Sequence, residues 1–201
     1  MTNENRPTTI DLDALQRQDK QAFSQFVTAH SDKIYRLALK MLGNVQDAED
    51  VLQETFIKAY NNIDGFEGRS QITTWLYRIA MNETLMLLRK RKRLLTNIDA
   101  GIEMDDGEVI PKQIVDWCCL PEKELMTAET QQIISQAVDT LSEANRAAFL
   151  LRDVEGLSTR EAADVLGISE SALKVRLLRA RLALREELTQ YFADKLPSNV
   201  S

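Results

Sequence analysis

Apolar residues recur along this chain at helical spacing in two stretches, separated by one stretch without any period. From Leu12 to about Leu95 the pattern predicts helices with short breaks. Ala22, Phe23, Phe26 and Val27 form one apolar stripe, and Ile34, Leu37, Ala38, Met41 and Leu42 form the next, before Gly43-Asn44 marks a stop. The cleanest amphipathic segment follows, with Ala48, Val51, Leu52, Thr55, Phe56, Ala59, Tyr60 and Ile63 on one face. Its opposite face carries Glu49, Asp50, Gln53, Glu54 and Lys58. A loop with two glycines, Asp64 to Ser70, then separates this segment from a longer helix running to about Arg93. There Ile72, Trp75, Leu76, Ile79, Ala80 and Met86 are expected to face the core.

Residues 96–128 lose the periodicity and read as an acidic linker, marked by Asp99, Glu103, Asp105, Asp106, Gly107, Glu108, Pro111 and Pro121. A second helical unit runs from about Glu129 to Phe192. Within it, Ser158-Thr159-Arg160-Glu161 is a capping box, in which the Ser hydroxyl and the Glu carboxylate each satisfy a free helix-start N–H. Ala162, Ala163, Val165 and Leu166 belong to the short helix it opens. Gly167-Ile168-Ser169 turns the chain, with Gly167 suited to a left-handed end and Ser169 to capping the next helix. Ala163, four residues before the glycine, lets the two helices cross closely. Leu173, Leu177, Ala180 and Leu184 line the inner side of the second helix, and Lys174, Arg176, Arg179, Arg181 and Arg185 supply its charge. A helical hairpin with a solvated basic face would share parts of this pattern. Capping box, Ala-to-Gly spacing, turn and basic second helix together predict a DNA-binding helix-turn-helix. Its second helix would put its first turns at base edges and its later arginines on phosphates.

Charge sharpens this division. The 201 residues carry a net charge of −6, against a nonspecific coating of nucleic acid. Residues 1–95 hold 14 Lys/Arg against 12 Asp/Glu, residues 96–136 hold 2 against 9, and residues 137–201 hold 9 against 10. The acidity sits in the centre, flanked by local basic runs. Seven glycines, four prolines and few β-branched runs favour an all-α fold of two small domains. No apolar run approaches the roughly 20 residues of a membrane span, and MTNENRPTTIDLD lacks a signal-peptide core, so the expected location is the cytoplasm. Two adjacent cysteines, Cys118 and Cys119, and one histidine, His30, supply neither a disulfide framework nor a zinc site. No catalytic constellation appears; neither an enzyme nor a cofactor or metal is expected. Whether the cysteine pair has a redox role stays open.

Arg89-Lys90-Arg91-Lys92-Arg93 is an unbroken basic run at a helix end, with Arg78 and Asn82 upstream on the same helix. Phe66, Arg69, Trp75 and Tyr77 lie nearby. Cations beside aromatics and a loop are what single-stranded nucleic acid needs: neutralised phosphates and a surface for unstacked bases. Trp75 sits on the core stripe and reads as structural; for Phe66 core and base contact are equally open.

Asp47 to Glu54, Thr74-Trp75-Leu76-Tyr77-Arg78-Ile79-Ala80-Met81-Asn82, the Arg89–Arg93 run and Leu157 to Arg185, in this order, resemble the extracytoplasmic-function sigma factors of the sigma-70 family. The resemblance covers about residues 14–93 and 131–189. It implies a domain over 14–95 that binds core RNA polymerase and melts and reads the −10 promoter element. It also implies a domain over 129–192 that reads the −35 element, with residues 96–128 between them and flexible ends at 1–13 and 193–201. By position, Asp50, Gln53 and Glu54 match the polymerase-binding face. Phe66, Glu67, Arg69, Ser70, Arg78, Asn82, Arg89, Arg91 and Arg93 match the −10 binding and melting surface. Ser171, Lys174, Val175, Arg176, Leu178, Arg179, Arg181 and Arg185 match the −35 surface. The implied partners are core polymerase, promoter DNA and an anti-sigma factor, with the free chain a monomer or paired 1:1 with that factor. The anti-sigma factor would hold it at the inner membrane; the chain itself is not expected to insert. The chain departs from the family where Gln18 precedes Asp19, a place often held by Gly, and at Val175 and Lys174, where a hydroxyl residue and Arg are frequent. Lys lacks the bidentate fork Arg offers to guanine. A helix-turn-helix regulator acting as a dimer without polymerase would instead need a ligand or receiver domain at the N-terminus, and a helical protein adaptor would leave the paired basic helices unexplained.

Overall fold

A computed structural model describes the backbone of residues 11–99 and 128–195, and the side chains of residues 11–93 and 132–189. Residues 1–10, residues 100–127 with Cys118 and Cys119, and residues 196–201 lie outside the described residues, and with them most of the expected flexible ends and acidic linker; residues 12–13, 96–99, 128 and 193–195 of those segments are helical. Among the described residues every regular element is helical. The all-α expectation holds, as two helical units.

The first unit contains α1 (Leu12–Gln16), α2 (Lys20–Leu42), α3 (Val45–Asn62), a short 3-10 turn (Ile63–Gly65) and α4 (Ile72–Asp99). Side-chain caps start the first three: Asp11 accepts from the Ala14 N–H at 3.0 Å, Asp19 from Ala22 at 2.8 Å, and Asn44 from Asp47 at 3.0 Å. The two apolar stripes read before Gly43 belong to one helix, α2, which ends where Gly43 turns left-handed at φ +65°. Phe26, Ile34, Leu37 and Met41 of α2 pack against Val51, Phe56 and Ala59 of α3 and Leu76, Ala80 and Met81 of α4. His30 is buried in the same layer, edge-on to Phe26 at 4.8 Å. Burial, then nearby Lys33, push its pKa below the ordinary value, so the ring packs neutral. Gln18 is the one described non-glycine residue in the left-handed region, at φ 56°. The position that departs from the family's glycine is therefore a strained one.

One expectation about α4 fails. Met86, placed on the core stripe from the sequence, is 53% exposed. A helix advances 100° per residue, so Met86 falls on the side of Asn82, Arg89 and Arg93, one face away from Leu76 and Ala80.

The second unit contains α5 (Ala128–Thr140), α6 (Glu143–Phe149) continuing through one π turn (Leu150–Val154), α7 (Thr159–Leu166) and α8 (Glu170–Lys195). Val138, Leu150, Leu151, Ala162, Val165, Leu173, Leu177 and Ala180 form its core. Arg146 knits it together, donating to the carbonyls of Asp139 at 2.5 Å and Leu141 at 3.2 Å. The same guanidinium donates to the Met41 carbonyl of α2 at 3.3 Å, meeting the free carbonyls at that helix's C-terminus. The two units are thus in direct contact, and α4 packs along α7.

Candidate nucleic-acid interface

The helix-turn-helix is built as its sequence dictates. The Ser158 N–H donates to Glu161 Oε2 at 2.9 Å, and the Glu161 N–H donates to Ser158 Oγ at 3.2 Å, closing the capping box. Gly167 ends α7 at φ +63°, and the Ala172 N–H donates to Ser169 Oγ at 3.2 Å to open α8. Leu173, Leu177, Ala180 and Leu184 are buried as expected, which fixes the rotation of α8. Ser171, Lys174, Val175, Leu178 and Arg179 are consequently exposed on its outer side, with Arg176 partly covered and Arg185 exposed further along. Leu182, absent from the sequence-derived set, is 55% exposed and extends the strip of Val175 and Leu178 at i+7. Its spacing was there to be read; exposed leucine carries no polar signal that would single it out.

Arg181 is the exception on this helix. Expected as a phosphate contact, it is tied to Asp153 of the π turn through two hydrogen bonds, Nε to Oδ2 at 2.9 Å and Nη2 to Oδ1 at 2.7 Å. Those bonds and the aspartate charge raise its pKa further. The guanidinium braces α8 against the preceding turn; the signal missed was a carboxylate 28 residues upstream.

In the first unit, the Phe66–Ser70 loop is held from below. Gln16 of α1 donates to the Phe66 carbonyl at 2.7 Å, and the Phe66 ring is buried against Trp75 at 5.5 Å between centroids. Phe66, left open between core and base contact, is in the wall beneath the loop. Glu67, Arg69 and Gly68 are exposed above it, with Arg69 paired to Glu67 and Gly68 at φ +70°. Ser70 is half-buried at the loop's exit. Asn82, Met86, Arg89 and Arg93 follow along one exposed side of α4. Arg91 points elsewhere: it is ion-paired with Asp47 of α3, and Lys58 of α3 pairs with Glu83 of α4 at 2.6 Å. Arg78 is paired with Asp164 of α7 at 2.5 Å. Asn82, Arg89 and Arg93 therefore share one outward side of α4 that runs away from the loop, while Arg78 and Arg91, both part exposed, are each engaged by a carboxylate.

On α3, Asp50, Gln53 and Glu54 are exposed together, opposite the buried Val51, Thr55 and Phe56. Ile57, one turn on and 53% exposed, shares their face and was not anticipated.

Two helical units, one a helix-turn-helix with a solvent-facing basic second helix, the other with a basic, loop-flanked helix, define a DNA-binding protein. Residues 26–94 match the model of sigma-70 region 2, and residues 131–184 match that of sigma-70 region 4. The extracytoplasmic-function RNA polymerase sigma factor SigW of Bacillus subtilis is 39% identical over 170 residues, spanning 85% of this chain and 90% of the relative. The RNA polymerase sigma-H factor of Pseudomonas aeruginosa is 34% identical, spanning 88% and 91%. Among solved structures, the Bartonella quintana sigma factor RpoE in complex with the anti-sigma factor NepR has a TM-score of 0.63 at 29% identity, covering 83% of this chain and 96% of that one. This chain belongs to the extracytoplasmic-function RNA polymerase sigma factors. It is accordingly a transcription-initiation factor, without enzymatic activity of its own.

Proposed function

We propose that the chain divides promoter recognition between its two units: residues 14–95 bind core RNA polymerase and open and read the −10 element, and residues 129–192 read the −35 element as duplex. One observation carries this reading. Two exposed basic surfaces of different character sit on separate helical bodies, Asn82, Arg89 and Arg93 along one side of the helix into which the Phe66–Ser70 loop leads, and Ser171, Lys174 and Arg179 on the second helix of a helix-turn-helix. A loop with adjacent cations suits an unstacked strand, since flipping a base costs a few kcal/mol that a pocket offsets. A straight helix with an exposed N-terminal half suits the major groove.

In this division Glu67, Arg69 and Ser70 form the rim for the displaced strand, and Phe66 supports the rim from within. Arg78 joins Asn82, Arg89 and Arg93 on the strand once its present partner is released, while Arg91 positions α4 through Asp47. Lys174, Val175, Leu178 and Arg179 face bases, Ser171, Arg176 and Arg185 face phosphates, and Arg181 holds the helix in place. Asp50, Gln53 and Glu54, with Ile57 as apolar anchor, form the docking face for core polymerase. Residues 96–128 connect the two units. The free chain is cytoplasmic, a monomer or 1:1 with an anti-sigma factor, and membrane-associated only when that factor is anchored; among the described residues no helix is long and apolar enough to cross a bilayer.

The test is reconstitution with core polymerase on promoter fragments selected from a genomic library, with permanganate reactivity as the readout of opening. The wild-type chain should make −10 thymines reactive; a variant lacking the Phe66–Ser70 loop should bind core without doing so. Ile57→Glu or charge reversal at Asp50 and Glu54 should weaken core binding with helicity intact. Opening by the loop-deleted chain would overturn the assignment.

A further inference from the structure

The short helix α1 lies before the stretch 26–94 that matches sigma-70 region 2, yet it is tied to the loop that the reading above assigns to the −10 strand. Asp11 caps α1 and Leu15 is fully buried, which together fix how the helix is turned. The next residue, Gln16, reaches across 50 positions of sequence: its Nε2 donates to the Phe66 carbonyl at 2.7 Å in a part-buried setting. Two residues on, Gln18 Nε2 reaches the Tyr60 carbonyl at 3.4 Å, near the end of α3. The two glutamines thus straddle the 3-10 turn Ile63–Gly65 that leads into the loop.

Within the loop, Phe66 is the anchored residue. Its ring is buried against Trp75, its N–H donates to the Ile63 carbonyl at 3.1 Å, and its own carbonyl accepts from Gln16. Beyond it, among the described residues, the side chains of Glu67 and Arg69 bond to each other, and Gly68 turns left-handed at φ +70°. The Phe66 carbonyl lies in one rigid plane with the Glu67 N–H. Gln16 therefore holds that plane, and with it the extended ψ of 107° at Phe66 that sets the direction in which Glu67 to Ser70 leave the core. Without the donor, a part-buried carbonyl loses its partner, and rotation of the plane toward water relieves the loss.

We propose that α1 is part of the −10 specificity apparatus: Gln16 is a positioning residue that, through the Phe66 carbonyl, sets how Glu67, Arg69 and Ser70 are presented to the displaced strand. The proposal rests on the assignment of that loop to the −10 strand.

Holoenzymes are assayed on one promoter library randomised in the −10 element and on a second randomised in the −35 element, with run-off transcripts counted by sequencing. Gln16→Met keeps the length of the side chain and gives up its N–H. Gln16→Glu keeps the shape and also gives up the N–H, and serves as the second loss variant should the first fold poorly by circular dichroism. Gln16→Lys keeps a donor of sufficient reach. Both loss variants should bind core polymerase like the wild type and lower discrimination at a −10 position by roughly three- to tenfold, the worth of one net hydrogen bond. Their −35 preference should stay unchanged, and Gln16→Lys should keep the wild-type −10 ratios. A merely structural α1 would depress transcription from every sequence alike. That pattern, wild-type ratios in the loss variants, or an equal loss in Gln16→Lys overturns the proposal. The chain lacking the Phe66–Ser70 loop is run alongside. If it transcribes with wild-type −10 ratios, the −10 assignment itself fails; if it is impaired while the loss variants keep those ratios, only the role of α1 fails.

Discussion

The two basic helices, α4 and α8, meet opposite fates in the same fold. On α8 the outward residues Lys174, Val175, Leu178 and Arg179 face solvent, and its one strongly paired arginine, Arg181, is tied within its own unit. On α4 the cations are divided: Arg91 is held by Asp47 of its own unit, Arg78 by Asp164 of the other, and Asn82, Arg89 and Arg93 remain outward. The helix proposed to read duplex is open to solvent along its outer side, whereas Arg78, on the helix proposed to take the opened strand, is engaged by an aspartate of the other unit. A cluster of positive charge in a sequence therefore says little about availability. What decides it is which carboxylates the fold brings alongside.

The comparison can be broken from the α8 side first. Leu173 is fully buried at the crossing of α7 and α8, so Leu173→Ala should cost about 2–5 kcal/mol. Thermal melting should then show the second unit failing early, −35 duplex binding should disappear, and binding of single-stranded DNA by the first unit should persist. Retained duplex binding would show that α8 is not the reader.

Within α8, Lys174→Ala and Arg179→Ala should each cost about 1–3 kcal/mol for the preferred base pair and relax preference at one position. Arg185→Ala should instead weaken all sequences alike and flatten the salt dependence by roughly one unit of slope. Arg181→Ala should behave differently again, with Asp153→Asn reproducing part of its effect at low salt because the brace, rather than a phosphate contact, is lost. Competition binding to a randomised −35 library at two salt concentrations separates the three patterns.

A smaller effect sits at the seam between the two units and depends on pH. The Ser158 hydroxyl and backbone N–H, with Thr74 adding to them, hold the Glu161 carboxyl below its ordinary range. A lowered carboxylate pKa means that its stabilisation is full above the unfolded value and is lost as pH falls through the folded one. Burial, then the Glu155 carboxylate, push the Tyr77 phenol well above its ordinary pKa. Its contribution is full below about pH 10 and is lost as pH rises through the folded value. The seam should therefore be tightest between these limits. Glu161→Gln should reduce the acid-side dependence in a pH series of melts while changing stability little near neutrality, because the Gln amide oxygen still accepts from the Ser158 N–H.

The smallest expected change is favourable. Gln18 occupies φ 56°, where a side chain costs roughly 1–2 kcal/mol, and a glycine there gives back about 0.4–1 kcal/mol through the unfolded chain. Gln18→Gly should therefore raise the melting temperature of the first unit slightly without altering α4 or α8 function. A lower melting temperature would mean that the Gln18 side chain, which reaches the Tyr60 carbonyl at 3.4 Å, matters more than its backbone strain.

Much of this fold was legible because its signals are local. Capping box, Gly167 turn and the Leu173–Leu184 stripe specify the helix-turn-helix within 30 residues, and the Ala48–Ile63 periodicity fixes which side of α3 carries Asp50 and Glu54. Met86 failed for a local reason, since it completes an apolar spacing along α4 yet falls on the helix's outward side. The failures among the arginines share another cause: each depended on a neighbour far away in sequence. Arg181 belongs to a basic run by composition, yet Asp153 claims it. Arg78 and Arg91 looked equally available, and only tertiary contacts with Asp164 and Asp47 distinguish them from Arg89. Ile57 and Leu182 are harder to single out, because an exposed apolar residue among polar neighbours carries no polar signal of its own.

The central claim is that α4 handles the opened −10 strand while α8 handles −35 duplex in one and the same promoter complex. The most direct measurement places p-benzoylphenylalanine at Asn82 or at Lys174 in the full-length chain, assembles each with core polymerase on a promoter fragment, and maps the photo-crosslinks to single nucleotides on both strands. The account predicts adducts from position 82 on the non-template strand of the −10 element and from position 174 within the −35 duplex. Adducts from position 82 that fell only on protein, or only on closed duplex, would contradict it.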